Sequence, residues 1–142
     1  LDRKKANNIA DFGSGAGFPG LILAIQSRNN SFHVKLYEKS AVKRDFLNEI
    51  KEKLDLKNVE VKGDIYENEI NSSTIICRAF KKLGEIINIS REMIKKPHKL
   101  IILKGKNAQS EINNVSLGTN YSYKFKNSIT DQDSKIILVE AK

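Results

Sequence analysis

Ile9-Ala10-Asp11-Phe12-Gly13-Ser14-Gly15-Ala16-Gly17-Phe18-Pro19-Gly20 carries an apolar run, three alternating glycines and a proline within twelve residues. It predicts a buried strand that breaks at a tight glycine turn and passes straight into a helix. Gly13, Gly15 and Gly17 alternate, and without a Cβ the backbone there can take positive φ and admit a flat ligand against it. Pro19 suits a helix start, because its ring fixes φ near the helical value and the N–H it lacks has no partner there anyway. The stretch therefore reads as a ligand-binding turn at the end of a strand.

Working outward, Ala6 to Phe12 is the first strand, and Asp11 sits where its carboxylate can organise the turn. Leu21 to Ile25 continues as a helix that is apolar almost all round, as expected for a helix pressed hard on a sheet. Phe32 to Tyr37 is a second strand, with Glu38 at its carboxyl end, where open α/β sheets place ligand contacts. Ser40 can cap the next helix, which turns Phe46, Leu47, Ile50 and Leu54 inward and Lys43, Arg44, Glu49, Lys51 and Lys53 outward. Val59 to Val61 forms a third strand, Gly63 to Glu67 a loop, and Thr74 to Cys77 a fourth strand that stops at Arg78. Leu83, Ile86, Ile87, Ile89 and Met93 mark the core side of a long helix closed by Pro97. Lys99 to Leu103 is a fifth strand, apolar enough to be covered on both faces. Ser110 to Val115 gives a short helical turn, and Tyr121 to Phe125 and Lys135 to Val139 are final strands joined without a helix. Strands alternating with helices imply an α/β fold, a mostly parallel sheet with helices on both faces.

The 142 residues suit a single domain, 1–142, long enough to bury about 70% of the surface of the unfolded chain. The chain begins at Leu1 with no methionine, so an upstream segment is expected. No apolar run reaches the length of a transmembrane helix, which predicts a soluble protein with no membrane partner. The one cysteine, Cys77, excludes an internal disulfide and suits a reducing compartment, hence the cytoplasm. A formal charge of +8, from 25 Lys+Arg against 17 Asp+Glu, favours a polyanionic partner, and nucleic acid is the foremost candidate. A lysine-rich composition alone accounts for the same charge.

Spacing leaves three readings of the glycine turn open. Gly15, Gly17 and Gly20 satisfy G-x-G-x-x-G, with Glu38 near the distance of a ribose-binding acid, which permits an NAD-binding enzyme. The earlier register, Asp11-x-Gly13-x-Gly15-x-Gly17, fits nucleoside-binding methyltransferases better, because Asp11 to Ser14 intervene before Gly15. In that register the turn faces the amino-acid part of S-adenosylmethionine and Glu38 accepts hydrogen bonds from the ribose. The third reading is a turn that only closes strand onto helix.

The stretch from Asp11 to Leu21 resembles the signature of the RsmG family, also called glucose-inhibited division protein B. Further landmarks follow in order: Glu38 with Lys43-Arg44 and Phe46-Leu47; Asn58 to Val61; Cys77-Arg78-Ala79-Phe80, similar to the family's S-R-A-F; and Leu103-Lys104-Gly105 with Glu111. The resemblance implies a class I, Rossmann-like methyltransferase fold with a seven-stranded sheet and an antiparallel final strand. It implies transfer of a methyl group from S-adenosylmethionine to N7 of a guanine in 16S rRNA. The rRNA is expected within the 30S subunit or its precursor, and the protein is expected to be a monomer. The cofactor residues it implies are Gly13, Phe18, Tyr66, Glu67 and Arg78, with Gly15 and Glu38 from the turn register. Tyr66 stands where the family commonly has a small residue, Cys77 replaces its usual Ser, and the family's N-terminal helical segment lies outside the sequence.

Guanine N7 carries an in-plane lone pair and no proton, so no catalytic acid or base is expected. Alignment of nucleophile, methyl and sulfur is the enzyme's task, and such positioning lowers a barrier by roughly 7–11 kcal/mol. Arg78 can orient a carboxylate or the target base through its fork of donors. Lys104 is a weaker candidate, for an RNA phosphate. His33, His98 and Cys77 are read as structural, and no metal is expected. Lys4-Lys5, Lys81-Lys82, Lys95-Lys96 and Lys124-x-Lys126 can supply phosphate contacts. A methyltransferase with another substrate, an NAD-binding enzyme and a non-catalytic RNA-binding relic remain alternatives.

Overall fold

Short β-branched and apolar runs alternate with amphipathic segments, and in the computed structural model, which describes residues 8–27 and 32–142, each run becomes a strand of one sheet. The order is β1 (Asn8–Phe12), α1 (Gly20–Gln26), β2 (His33–Tyr37), α2 (Ala41–Lys53), β3 (Val59–Lys62), a 3-10 turn (Ile65–Glu67), β4 (Thr74–Arg78), α3 (Leu83–Met93), β5 (His98–Lys104), α4 (Ala108–Asn113), β6 (Tyr121–Asn127) and β7 (Lys135–Ala141). The expected strand start at Ala6 and the Lys4-Lys5 pair lie outside the described residues. Across the seven-stranded sheet the strands run β3-β2-β1-β4-β5-β7-β6. The first five are parallel, and β7 inserts antiparallel between β5 and β6. This is the α/β, mostly parallel architecture expected, with its antiparallel closing strands.

Chain direction places the site. From β1 the chain steps outward through β2 to β3, then returns to lay β4 against the other side of β1. The strand order reverses between β1 and β4, and open α/β sheets bind ligands in the crevice at the carboxyl ends of such a pair.

Each face of the sheet has its own core. Ala10, Phe12, Ile75, Cys77, Leu100, Ile102, Ile137 and Val139 meet Leu83, Ile86 and Ile87 of α3 and Ala108 and Ile112 of α4. On the other face Val34, Leu36 and Val59 meet Leu21 and Ala24 of α1 and Leu47 of α2. The apolar circumference of α1 is not wholly covered as expected: Gly20, Leu21 and Ala24 are buried while Ile22 is 37% exposed. A helix of this short length touches the sheet along one stripe, so apolar residues on its far side stay wet. In α2 as well contact is confined to one stripe: Phe46, and Leu54 at the helix C-cap, are exposed, while Leu47 is buried and Ile50 half-buried. Gly20 is required by packing, since a Cβ there would stand 2.5 Å from Asp11 Oδ2 and 2.6 Å from Leu36 Cδ2.

Polar ties join the layers where apolar contact stops. Asn58 Nδ2 donates to Ala24 O at 3.0 Å, linking α1 to the entry of β3. His98, buried at the start of β5, is held between Lys96 O, 2.7 Å from Nδ1, and the hydroxyl of Ser90 in α3 at Nε2. The loop expected over Gly63 to Glu67 contains a single 3-10 turn in which Asp64 accepts from Tyr66 N at 3.2 Å. The short helix begins two residues before the expected Ser110, at Ala108. No helix among the described residues is long and apolar enough to cross a membrane.

Candidate functional site

Four adjacent strands end along one edge, and the loops that follow them carry every residue singled out for the cofactor. Gly13, Gly15 and Phe18 follow β1, Glu38 follows β2, Tyr66 and Glu67 lie in the connection after β3, and Arg78 ends β4. Parallel strands with this order force the convergence, although these residues are spread over 66 positions of sequence, from 13 to 78.

The glycine turn has the backbone its composition predicts. Gly13, Gly15 and Gly17 have φ of 71°, 56° and 97°. Tyr37 O accepts from Gly13 N at 2.9 Å and Ser14 N at 3.0 Å, which ties the turn to the end of β2. A Cβ on Gly13 would meet Phe80 Cδ2 at 2.5 Å, so the ring of Phe80 occupies the place a side chain would need. At Gly15 only Gly13 O lies near such a Cβ, at 3.9 Å, and the turn is open there. Glu38 braces it from the β2 side, Oε2 accepting from Gly15 N at 2.8 Å and Oε1 from Ser40 N at 2.9 Å. Each carboxylate oxygen keeps a further lone pair for a ligand hydroxyl.

Asp11 lies beneath the turn and is fully buried. Its Oδ2 accepts from Gly20 N at 3.0 Å, while Oδ1 has no partner among the described residues. Burial pushes the Asp11 carboxyl up from 3.8 to about 6, against the opposing pull of the Gly20 N–H, Ser14 and the nearby charge of Arg78. An unpartnered buried acceptor with a raised pKa is a place for a donor or a cation. Asp11 was expected only to organise the turn; the orphaned oxygen is a property of burial that spacing does not reveal.

The rim is exposed and mixed in character. The Arg78 guanidinium lies 5.5 Å from the centre of the Phe18 ring, within cation–π reach. Phe18 and Tyr66 are 48% and 57% exposed, and aromatic rings standing free at a crevice can stack on a flat ligand. Ala79, next to Arg78, has φ of 48°, a left-handed position that aims Phe80 back onto Gly13. Phe12, Tyr37 and Phe80 then stack edge to face beneath the turn, with Phe12 5.8 Å from Tyr37 and 5.9 Å from Phe80. Cys77 is buried, which pushes its thiol up to about 12 and leaves it unreactive.

Lys104 corrects an expectation. By sequence it is a candidate for an RNA phosphate, yet its side chain is only 13% exposed, with Nζ 3.0 Å from Glu111 Oε2 and 2.8 Å from Lys81 O. Among the described residues the basic pairs also do not share one edge of the sheet. Lys81-Lys82 follow β4 at the site edge, whereas Lys95-Lys96 precede β5 at the opposite edge and Lys124 and Lys126 lie on the outermost strand.

Known proteins share both the sheet and the sequence. A SAM-dependent methyltransferase from Aquifex aeolicus superposes with a TM-score of 0.75 over 99% of this chain and 85% of its own, at 17% identity. A putative methyltransferase from Escherichia coli, yhhF, gives 0.69 over 95% and 77%, at 15% identity. These likenesses establish the methyltransferase fold. In sequence, the ribosomal RNA small subunit methyltransferase G of Pelagibacter ubique is 34% identical over 95% of this chain and 65% of its own length. The Rickettsia felis protein of that name is 36% identical over 98% and 70%, and the Orientia tsutsugamushi (strain Ikeda) protein 35% identical over 93% and 65%. The chain thus spans about two thirds of the length of these relatives. The family model GidB, rRNA small subunit methyltransferase G, matches residues 1–137. With the glycine turn, Glu38, Arg78 and the sheet order in place, the chain belongs to the rRNA small subunit methyltransferase G family.

Proposed function

We propose that this chain is the methyltransferase domain of an enzyme that transfers a methyl group from S-adenosylmethionine to N7 of a guanine in 16S rRNA. The observation that carries the reading is the open, positive-φ turn at the β1/β4 switch point, flanked by Glu38, Arg78 and the unpartnered Asp11 Oδ1, in a chain of this family. The residues fit the cofactor. The bare backbone at Gly15 admits the methionine part, Glu38 has lone pairs left for ribose hydroxyls, and Asp11 Oδ1 offers an acceptor to an ammonium. Tyr66 and Glu67 are the candidates for the adenine side, and Arg78 for the methionine carboxylate or the target base.

S-adenosylmethionine, when bound, supplies an electrophilic methyl on a sulfonium. Guanine N7 needs no deprotonation to attack it, so the protein's part is orientation. Phe18 and Arg78 at the rim hold flat and anionic groups in register, while the β1–α1 turn keeps the donor end against the sheet. The single-domain organisation, action on 30S particles or their precursor, the monomeric state and cytoplasmic residence belong to the same proposal.

Calorimetric titration of the full-length protein with S-adenosylhomocysteine and with NADH tests the cofactor. Binding of the former alone supports the reading, and binding of NADH alone overturns it. Methyl incorporation from labelled S-adenosylmethionine into 30S particles lacking the modification tests the reaction; cofactor binding without incorporation would favour an RNA-binding relic. Arg78 is exposed, so Arg78→Ala should keep its melting temperature and lose at least tenfold in transfer rate. Unchanged transfer would remove Arg78 from the site.

A further inference from the structure

The loop from Arg78 to Lys82 forms one wall of the crevice, meeting the glycine turn at its inner end through Phe80 and Arg78. Its outer end is gripped from behind. Lys104, the last residue of β5, directs Nζ to Lys81 O at 2.8 Å and to Glu111 Oε2 at 3.0 Å. The same Glu111 oxygen accepts from Leu83 N, the first N–H of α3, at 2.8 Å. One lysine on β5 and one glutamate on α4 therefore clamp the carbonyl that ends the loop and the amide that starts the next helix. Lys104 and Glu111 are 13% and 27% exposed in their side chains, so water competes weakly for either. Burial works against the Glu111 carboxylate, but the Leu83 N–H and the Lys104 ammonium outweigh it and hold its pKa below the ordinary value.

The inner end of the loop touches the glycine turn. Phe80 lies on Gly13 where a Cβ would be 2.5 Å from its ring, and the Arg78 guanidinium stands over Phe18. Between clamp and turn the backbone passes through Ala79 at φ 48°, a conformation an alanine holds only when its surroundings impose it. We infer that Lys104 and Glu111 are positioning residues for the cofactor crevice, holding Arg78 and Phe80 against Gly13 and Phe18 through the backbone of Lys81 and Leu83. They touch neither cofactor nor RNA in this role. The inference rests on the cofactor reading proposed above.

Lys104→Met in the full-length protein removes the clamp while keeping the aliphatic stem, and Lys104→Arg keeps a donor at the same place. At a temperature where both are fully folded by circular dichroism, Lys104→Met should bind S-adenosylhomocysteine about tenfold more weakly, and Lys104→Arg within about threefold of the parent. In the ligand-free protein, amide exchange at Phe80 to Leu83 and at Gly13 to Gly17 should quicken together in Lys104→Met, with no matching change in β2 or β3. A purely structural brace would lower the melting temperature and leave the dissociation constant and the exchange of Gly13 to Gly17 at parental values; that result overturns the inference. Should Lys104→Met not fold, Glu111→Gln keeps an acceptor for Leu83 N but drops the charge, and the same two readouts apply. A parent protein that fails to bind S-adenosylhomocysteine sinks the cofactor reading and this inference with it, whereas a binding parent with unaltered variants sinks the inference alone.

Discussion

At Gly13 two constraints coincide: φ is 71° and the Phe80 ring fills the side-chain position, whereas Gly15, at φ 56°, faces open space. Alanine at either position pays about 1–2 kcal/mol in left-handed backbone strain. Only Gly13→Ala adds overpacking against Phe80, typically 1–3 kcal/mol more. Urea unfolding should therefore rank Gly13→Ala as the costlier by at least about 1 kcal/mol, and equal losses would mean that Phe80 simply moves aside. Asp11 makes a prediction in pH. Its ordinary pKa of 3.8 is raised to about 6 in the folded chain. Between those values the folded state keeps a proton that the unfolded chain has released, so stability falls as pH rises through the window and is level above it. The size is about 3 kcal/mol, two units at 1.4 kcal/mol each. Asp11→Asn cannot titrate; its unfolding free energy, measured from pH 4 to 7, should gain on the parent's by about that amount. Parallel curves would show that Asp11 is ionised in the fold.

At the scale of elements, α3 and β5 are joined by more than apolar contact. With Nδ1 of His98 donating to Lys96 O, Nε2 is the acceptor and the Ser90 hydroxyl donates to it. Both side chains are buried. Ser90→Ala leaves Nε2 without a partner, and such a loss costs about 1–3 kcal/mol. Chemical denaturation checks this; a loss below about 0.5 kcal/mol would mean that the pair carries no weight. The serine and histidine have the residue types of a nucleophile and base, yet His98 starts β5, at the edge opposite the crevice, with Ser90 of α3 against it, and both are buried. Their role is to tie a helix to a strand. The helices also show what periodicity conveys. In α3, of the expected core face, Leu83, Ile86, Ile87 and Ile89 are buried and Met93, at the last turn, is half-buried. In α1 and α2 the same kind of pattern was only partly covered, because apolar spacing names a face and not the width of its contact.

At the scale of the whole molecule, the basic pairs of the described residues stand at different edges of the sheet. Lys81 and Lys82 stand beside the crevice, and Lys95 and Lys96 at the far edge of the sheet. If rRNA docks over the carboxyl ends of the strands, the affinity of the full-length protein for its RNA should fall with salt at a log–log slope of about −2 or steeper, matching roughly three phosphate contacts or more. Exchanging Lys81 and Lys82 for Gln should flatten that slope by about 1–2, while exchanging Lys95 and Lys96 should leave it unchanged. The reverse pattern would place the RNA elsewhere.

The alternation of strand and helix, the glycine turn after β1, and the acid and arginine at the ends of β2 and β4 are all legible in the order of residues along the chain. Such features are local: a run of β-branched residues, a Cβ-free turn and a charge at a strand end are set by neighbours in the chain. Packing across the sheet sets the rest: Phe80 fills the space over Gly13, Asp11 is buried with one oxygen unpartnered among the described residues, and Lys104 turns inward to Glu111 and Lys81 instead of outward to a phosphate. Each depends on groups brought together across the sheet, where burial strips water from a charge and leaves it to find its partner in the fold.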